Sequence, residues 1–179
     1  MTSHAEPRRA RSGGRIIRRT VAGIGIAALV LVIAAAGTLA WTVQSSFPRY
    51  DGTVHTAALS APVTVQRDDL GIPTISASTN ADLLFAQGYV HAQDRFWEMD
   101  FRRHVTSGRV AELFGESQVA TDAFLRTLGW RDIAEQEVEL LDDATLALYQ
   151  AYADGVNAYL DDHAGAALSL EYAVLGLTT

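Results

Sequence analysis

The sequence contains no cysteine and no lysine, and the absence of cysteine excludes a class of chemistry. Without cysteine among its 179 residues, the chain can form no disulfide, thiolate metal site or lipoprotein anchor. All 14 basic residues are arginines, which we interpret as coding bias. Six arginines and one acid lie in residues 1–20, whereas eight arginines and 20 acids lie in the remainder. The acidic remainder argues against nucleic-acid binding, which needs a basic face.

A basic tail, residues 1–20, precedes an uncharged run of 23 residues, 21–43. We expect the tail to lack structure. As a helix, the run would extend about 34 Å, enough to cross a bilayer core of about 30 Å. Because the arginines precede it, the positive-inside rule predicts a cytoplasmic tail and an extracytoplasmic remainder. The length favours an uncleaved transmembrane signal-anchor. The alternative is a signal peptide cleaved near Ala34-Ala35-Ala36, which would release a secreted protein.

The rest of the chain is predicted to be a linker, a β-hairpin and a series of helices. Residues 44–62 form the linker, and strands at 63–67 and 72–77 flank a turn that contains Gly71. A long helix at 81–106 follows, with Thr79 as its N-cap. Further helices are predicted at 109–114, 117–128, 130–141 and from Asp142 or Asp143 to 162. On the last of these helices, we expect Gly155 to permit close approach of a neighbouring element.

The long helix has a polar stripe and an apolar face. At about 100° per residue, the stripe contains Gln87, His91, Arg95, Glu98 and Arg102. The opposite face contains Leu83, Ala86, Val90, Trp97 and Phe101, widened by Phe85, Tyr89 and Phe96. Asp94 falls on the apolar side. A buried, isolated carboxylate is too costly, so Asp94 must be paired or hydrogen-bonded.

The polar residues do not form a readable catalytic or metal site. His91 and Glu98 share a helix face, but Arg95 lies between them and should repel a metal ion and pair with Glu98. The acids Asp132, Glu135, Glu137 and Glu139 are interpreted as a solvated helix face rather than a calcium site. The histidines at 55, 91, 104 and 163 suggest no nucleophile–base–orienter set. The residues alone therefore indicate a membrane-tethered, helix-rich, acidic extracytoplasmic segment with a leading hairpin.

Residues 63–160 nevertheless contain a series of motifs in a recognisable order. They are Arg67-Asp68, Gly71-Ile72-Pro73 with Ile75 and Ala77, Asp82, Gly88-Tyr89, His91-Ala92-Gln93-Asp94-Arg95, Met99, Arg102-Arg103, Gly108-Arg109, Ala111-Glu112, Gly115, Asp122, Arg126 and residues 151–158. This series resembles the start of the α chain in the penicillin acylase (penicillin amidase) family. Two positions depart from the family pattern, Thr74 where histidine is usual and Glu98 where glutamine is usual.

The resemblance implies an N-terminal-nucleophile hydrolase. Its fold would be an αββα sandwich, of which this helix-rich α+β segment is an incomplete part. Family members mature from a precursor by self-cleavage, which exposes a serine nucleophile at the start of the β chain with its own α-amine as base. They hydrolyse linear amides of N-acyl substrates such as penicillins, acyl-homoserine lactones or lipopeptides, which implies a link to antibiotic biosynthesis or modification.

The resemblance carries no catalytic, cofactor-binding or metal-binding residue onto this chain. The sequence contains no Gly-Ser dipeptide, the usual cleavage junction; Gly37-Thr38 and Gly52-Thr53 are nearest, but both precede the matching region. Calcium is implied only for a full-length family member. We therefore expect a truncated precursor piece, inactive alone, whose partners are the rest of the α chain and the β chain. The alternative is a membrane-tethered, non-catalytic binding module.

Overall fold

The structure is a computed structural model that describes residues 13–177. The chain divides into two compact units, Met1–Trp41 and Thr42–Thr179. Helix α1 (Gly13–Ser45) contains all the described residues of the first unit, and its last four residues belong to the second. It begins before the predicted position 21, so residues 13–20 are helical rather than unstructured. Arginine is a good helix former, which allows the helix to extend N-terminally from the apolar run. The rest of the expected tail, residues 1–12, lies outside the described residues.

Within α1, the stretch Ile17–Ser45 is long and apolar enough to cross a membrane, and none of its most apolar window is buried in the structure. Large side chains such as Leu31 and Trp41 are 70% exposed. Length and composition of this kind are shared by membrane anchors and by signal sequences. The apolar N-terminal helix is thus consistent with either of the two alternatives.

The second unit contains the predicted β-hairpin. Strands β1 (Thr64–Arg67) and β2 (Pro73–Ser76) are antiparallel, with Val65 opposite Ile75. Gly71 has a φ of +79°, a conformation that residues with a Cβ rarely adopt. Asp68 stabilises the turn because its Oδ1 accepts hydrogen bonds from the backbone N–H groups of Leu70 and Ile72. The hairpin prediction is therefore confirmed.

Helix α2 (Asn80–Thr106) is the long helix that the sequence predicts, and Thr79 caps it by accepting from the Asp82 N–H. Arg95, however, has non-helical angles (φ −144°, ψ 23°), so the helix is kinked there. The non-helical residue rotates the turns that follow it. The polar stripe predicted at about 100° per residue therefore does not run straight past Arg95. Leu83 was also expected on the covered face but is 36% exposed.

Helix α6 (Asp143–Asp162), capped by Asp142, packs along α2. A Cβ on Gly155 would lie 1.9 Å from the Phe85 carbonyl oxygen, and one on Gly88 would lie 2.0 Å from the Tyr152 carbonyl oxygen. The two helices therefore cross almost backbone to backbone, which confirms the prediction for Gly155. The core beside this crossing is formed by Ala92, Phe96, Tyr159, Leu168 and Tyr172, which are all buried.

The remaining helices are short. They are α3 (Ala111–Phe114), a 3-10 turn (Glu116–Gln118), α4 (Val119–Thr127), α5 (Trp130–Glu139), a second 3-10 turn (Gly165–Ala167) and α7 (Leu170–Leu175). Residues 131–140 are all exposed, which confirms a solvated position for the acids of α5. Helix α7 was not predicted. The described residues thus form a helix-rich arrangement with a single two-stranded sheet.

Candidate functional site

The most extensively bonded side chain of the second unit is Arg67, at the end of β1. Its Nη1 and Nη2 donate to the two carboxylate oxygens of Asp94 at 2.8 and 2.9 Å, which is a bidentate ion pair. The side chains of Arg67 and Asp94 are only 13% and 19% exposed. Asp94 is therefore paired, as its place on the apolar side of α2 requires. The partner, 27 positions earlier in the chain, could not be identified from spacing.

Arg67 also fixes the segment that leads to the hairpin. Its guanidinium carbon lies 4.0 Å from the centre of the Tyr50 ring, within the range of a cation–π contact. Its Nη2 donates to the Gln93 side chain, which in turn donates to the Arg49 carbonyl at 2.9 Å. The predicted linker is thus bonded to α2 through its own backbone and to the hairpin through an aromatic side chain.

A second contact between the predicted linker and α2 lies at Asp82. The Ser60 N–H and hydroxyl donate to the two Asp82 carboxylate oxygens at 2.8 and 2.6 Å. These two bonds hold the pKa of Asp82 below its usual range. Thr79 therefore caps α2 with its own side chain, while the Asp82 carboxylate bonds Ser60 of the preceding segment.

A cleft of about 570 Å³ lies between the linker, the hairpin, α2 and α6. Its walls include Tyr50, Arg67, Tyr89, Tyr159 and His163. The rings of Tyr89 and Tyr159 meet edge to face, with centroids 5.3 Å apart, and His163 stacks on Tyr159 at 4.0 Å. Burial, and then the neighbouring Tyr89, raises the pKa of Tyr159 to about 12, so this hydroxyl stays protonated at neutral pH. A cleft of this size and mixed lining can hold a small molecule.

Much of the polar stripe of α2 is exposed to solvent. His91, Arg95 and Glu98 are exposed, and Arg95 pairs with Glu98 at 3.7 Å, as expected. His91 instead contacts the Tyr152 hydroxyl of α6, with 2.9 Å between Nδ1 and the oxygen. Within residues 13–177, no group of three or more histidine, aspartate or glutamate side chains converges as metal ligands would.

Sequence reasoning missed a buried carboxylate cluster around Asp100. The Tyr172 hydroxyl donates to Asp100 Oδ2 at 2.5 Å, and Arg103 Nη2 donates to Oδ1 at 2.6 Å. His104 lies 3.4 Å from the same Oδ1 and donates from Nδ1 to the Asp100 carbonyl, since a carbonyl can only accept. Burial opposes ionisation of Asp100, but the Tyr172 and Arg103 bonds outweigh it and lower the pKa.

The same cluster fixes α7 against α2. Burial raises the pKa of the Tyr172 hydroxyl far above its usual value, and the bond to Asp100 adds to this effect. The hydroxyl therefore remains the donor at every physiological pH. The spacing of Asp100, Arg103 and His104 on one helix was a signal for part of this cluster. Tyr172, 72 positions later, had no such signal.

A third buried carboxylate, Asp122 of α4, holds the start of α3. Its two oxygens accept from the backbone N–H groups of Val110 and Ala111 at 2.7 and 2.9 Å. Arg126, one turn later, donates from Nε to the Gly108 carbonyl at 2.8 Å. Asp122 thus caps a helix that has no side-chain cap of its own. Chemically, the arrangement stabilises a turn and offers no activated nucleophile.

The sequence of residues 62–179 matches the penicillin amidase family. The chain is 41% identical over 133 residues to penicillin acylase 2 proenzyme of Pseudomonas sp. (strain SE83), covering 74% of this chain and 17% of that protein. It is 36% identical over 137 residues to acyl-homoserine lactone acylase QuiP of Pseudomonas aeruginosa, covering 75% and 16%. It is 36% identical over 102 residues to penicillin G acylase of Escherichia coli, covering 57% and 12%.

A solved structure agrees with these sequence matches. The thermostable penicillin G acylase from Alcaligenes faecalis superimposes with a TM-score of 0.51 at 31% identity, covering 56% of this chain and 53% of that one. The chain spans about a sixth of the length of the curated Pseudomonas relatives, 17% and 16% for the two named above. The family match includes most of the chain and contains the four bonded carboxylates described above, Asp82, Asp94, Asp100 and Asp122. The chain therefore belongs to the penicillin amidase family.

Proposed function

We propose that residues 62–177 are the N-terminal framework of an acylase that hydrolyses linear amide bonds of N-acyl substrates. The relatives support this proposal by their names, which include penicillin acylases and acyl-homoserine lactone acylases. Penicillins, acyl-homoserine lactones and lipopeptides are the substrate classes that we assign to the complete enzyme. Such an enzyme would be made as a zymogen and would act in antibiotic biosynthesis or modification.

One observation carries the architectural role: side chains that define the family resemblance join one element of the fold to another. Arg67 joins the hairpin to Asp94 of α2. Asp82 joins α2 to the preceding segment through Ser60. Asp122 joins α4 to the start of α3. Each of these groups is engaged in a bond between elements of the fold, which supports an architectural role for this segment.

The catalytic groups of the complete enzyme then come from polypeptide outside the described residues. We assign them to a β chain whose N-terminal serine attacks the amide carbonyl, with its own α-amine as base. Backbone or side-chain donors from the same chain would stabilise the oxyanion. In that arrangement, the present helices form part of one α layer of an αββα sandwich. Any calcium ion would likewise draw ligands from outside the described residues.

We further propose that the apolar helix α1 places this framework outside the cytoplasm. Residues 1–20 would then be a cytoplasmic tail, 21–43 the membrane anchor or signal, 44–62 the connection, and 63–179 the α-chain segment. The hydropathy of Ile17–Ser45 supports the assignment. Retention of the chain in the membrane fraction after carbonate washing would indicate an anchor, whereas a soluble extracytoplasmic product would indicate a cleaved signal.

A chimera tests the proposed function. Residues 62–177 would replace the matching segment of Escherichia coli penicillin G acylase, and maturation would be followed on a denaturing gel alongside hydrolysis of penicillin G. We expect maturation and measurable hydrolysis by the chimera, and no hydrolysis by the purified 179-residue chain. A matured chimera without activity, or an active isolated chain, would contradict the proposal.

The cleft beside Tyr89 and Tyr159 favours a second candidate, a membrane-tethered binding module. Its volume of about 570 Å³ is sufficient for a small acyl amide. Calorimetric titration of the full chain in detergent micelles with phenylacetylated amides tests this candidate. Saturable binding that is weakened by Tyr159→Ala, with unchanged helix content, would support the module, and absence of binding would exclude it for these ligands.

A further inference from the structure

Helices α4 and α5 carry large apolar side chains that no other described element covers. Phe124 is 64% exposed, Trp130 46%, Ile133 52% and Val138 51%. Between residues 111 and 154, the only buried residue is Asp122, which is polar. This segment therefore contributes no fully buried apolar side chain, although about a quarter of the chain lies in it.

Helix α5 has the pattern of a helix that buries one side. At about 100° per residue, Trp130, Ile133 and Val138 fall within roughly 140° of one another. Asp132, Glu135 and Glu139 fall on the other side of the helix. Glu137 is an exception, because it projects within the apolar arc, between Ile133 and Trp130. The other residues are separated as in a helix that buries one side. The apolar side is thus a docking surface, which we call the α5 face and define by Trp130, Ile133 and Val138.

The local contacts of α5 are too few to hold it. It has 10 residues, fewer than the roughly 12–15 that an isolated helix needs to be even marginally stable in water. Within residues 13–177, its substantial contacts are with α4 alone. Its N-terminal neighbour Gly129 is left-handed, with a φ of +68°, and supplies no side-chain cap. The helix therefore needs a further partner for its order.

We propose that the α5 face docks into an apolar groove on the remainder of the acylase polypeptide. This inference rests on the proposed function, because it takes the partner from the relatives. Those relatives extend far beyond the matched region. The match covers only 17% and 16% of the lengths of the two Pseudomonas acylases. The polypeptide that could cover an uncovered helix is thus several times larger than the described chain.

The charge of α5 specifies the rim of this groove. Arg131 pairs with Glu135 at 2.5 Å, and no ion pair within the described part of the chain involves Asp132, Glu137 or Glu139. A partner groove edged by arginine or lysine would complement Asp132 and Glu139. Glu137 lies within the α5 face, so it would need a basic partner inside the groove. A second copy of this chain would not, because the chain has a net charge of −7 and would oppose acids to acids. Charge therefore favours the acylase remainder over self-association.

The chimera described above provides the test. Ile133→Glu adds one charge to the α5 face, and Gln136→Glu adds one charge to the polar side of the same helix as a matched control. We expect Ile133→Glu to lower the yield of matured enzyme about tenfold or more, as loss of a central interface contact does, and the control to leave it unchanged. Val138→Glu should act like Ile133→Glu. Normal maturation of both the Ile133→Glu and the Val138→Glu chimera would overturn the proposal.

Two measurements on the full chain in micelles separate docking from folding. Ile133 is exposed there, so Ile133→Glu should leave helix content unchanged. Backbone amides of α5 should exchange with deuterium rapidly in the chain alone and become protected in the matured chimera. Protection of α5 in the monomeric chain alone, or a dimer that Ile133→Glu dissociates, would contradict the proposal. A chimera that matures without hydrolysing penicillin G contradicts only the proposed function.

Discussion

Replacing Gly155 with alanine should destabilise the fold, although helix propensity alone predicts the opposite. The added Cβ would lie 1.9 Å from the Phe85 carbonyl oxygen and 2.7 Å from its carbonyl carbon. Non-bonded heavy atoms normally approach to about 3.5 Å, so α2 and α6 would have to separate by more than about 1 Å at the crossing. Propensity favours alanine by about 1 kcal/mol, whereas overpacking costs about 1–3 kcal/mol or more. The obstacle is rigid backbone, so we expect a net loss of about 2 kcal/mol.

Urea unfolding of the full chain in detergent micelles, followed by tryptophan fluorescence, measures this loss. Asn157→Ala is the matched control, because Asn157 is exposed on the same helix and the substitution raises propensity without a clash. The control should stabilise the chain by less than about 0.7 kcal/mol. Gly88→Ala, at the reciprocal contact with the Tyr152 carbonyl, should destabilise like Gly155→Ala. If Gly155→Ala were as stable as the parent, the close crossing of the helices would be refuted.

Two further predictions concern the buried carboxylates. Asp94→Ala leaves the Arg67 guanidinium, whose side chain is 13% exposed, without its carboxylate partner. The free energy of unfolding should fall by about 3 kcal/mol, a loss between those for exposed and fully buried ion pairs. As the control, Glu98→Ala breaks an exposed ion pair and should lower the free energy of unfolding by less than about 1 kcal/mol. Only Asp94→Ala should block maturation of the chimera. If the Asp94→Ala chimera matured normally but lost turnover, Asp94 would have a catalytic role instead. Because the folded pKa of Asp100 is lowered, its contribution to stability is present above the usual pKa of 3.8 and is lost as the pH falls through the lower folded value. Tyr172→Phe should therefore move the midpoint of acid unfolding to higher pH, and an unchanged midpoint would show that this hydroxyl does not stabilise the ionised Asp100.

The sequence predicted the elements well where a local pattern encodes them. The hairpin followed from alternation and a glycine turn, and the N-caps of α2 and α6 followed from Thr79 and Asp142. The requirement that Asp94 be paired followed from the cost of burying a charge. The family resemblance followed from the order of motifs, and the match over residues 62–179 confirmed it.

Several features had no local signal. The kink at Arg95 has no proline beside it, and α2 is otherwise a continuous helix in the sequence pattern. Helix α7 is only six residues long and is fixed by the Tyr172 bond to Asp100, a contact across 72 positions. Asp122 reads as an ordinary first-turn acid of α4, yet it caps a different helix. Short helices and distant contacts depend on neighbours that periodicity does not describe.

The sequence by itself determined the apolar N-terminal helix, the hairpin, the helical order and the family, because each depends on residue type and short-range spacing. It also determined that Asp94 required a partner. Only the tertiary structure decided which partner, namely Arg67, and that the same arginine holds Tyr50. It also decided that Gly88 and Gly155 meet the backbone of the opposite helix and that α5 remains uncovered. These facts depend on which surfaces face each other in space, and burial and ion pairing are properties of that arrangement rather than of any single segment.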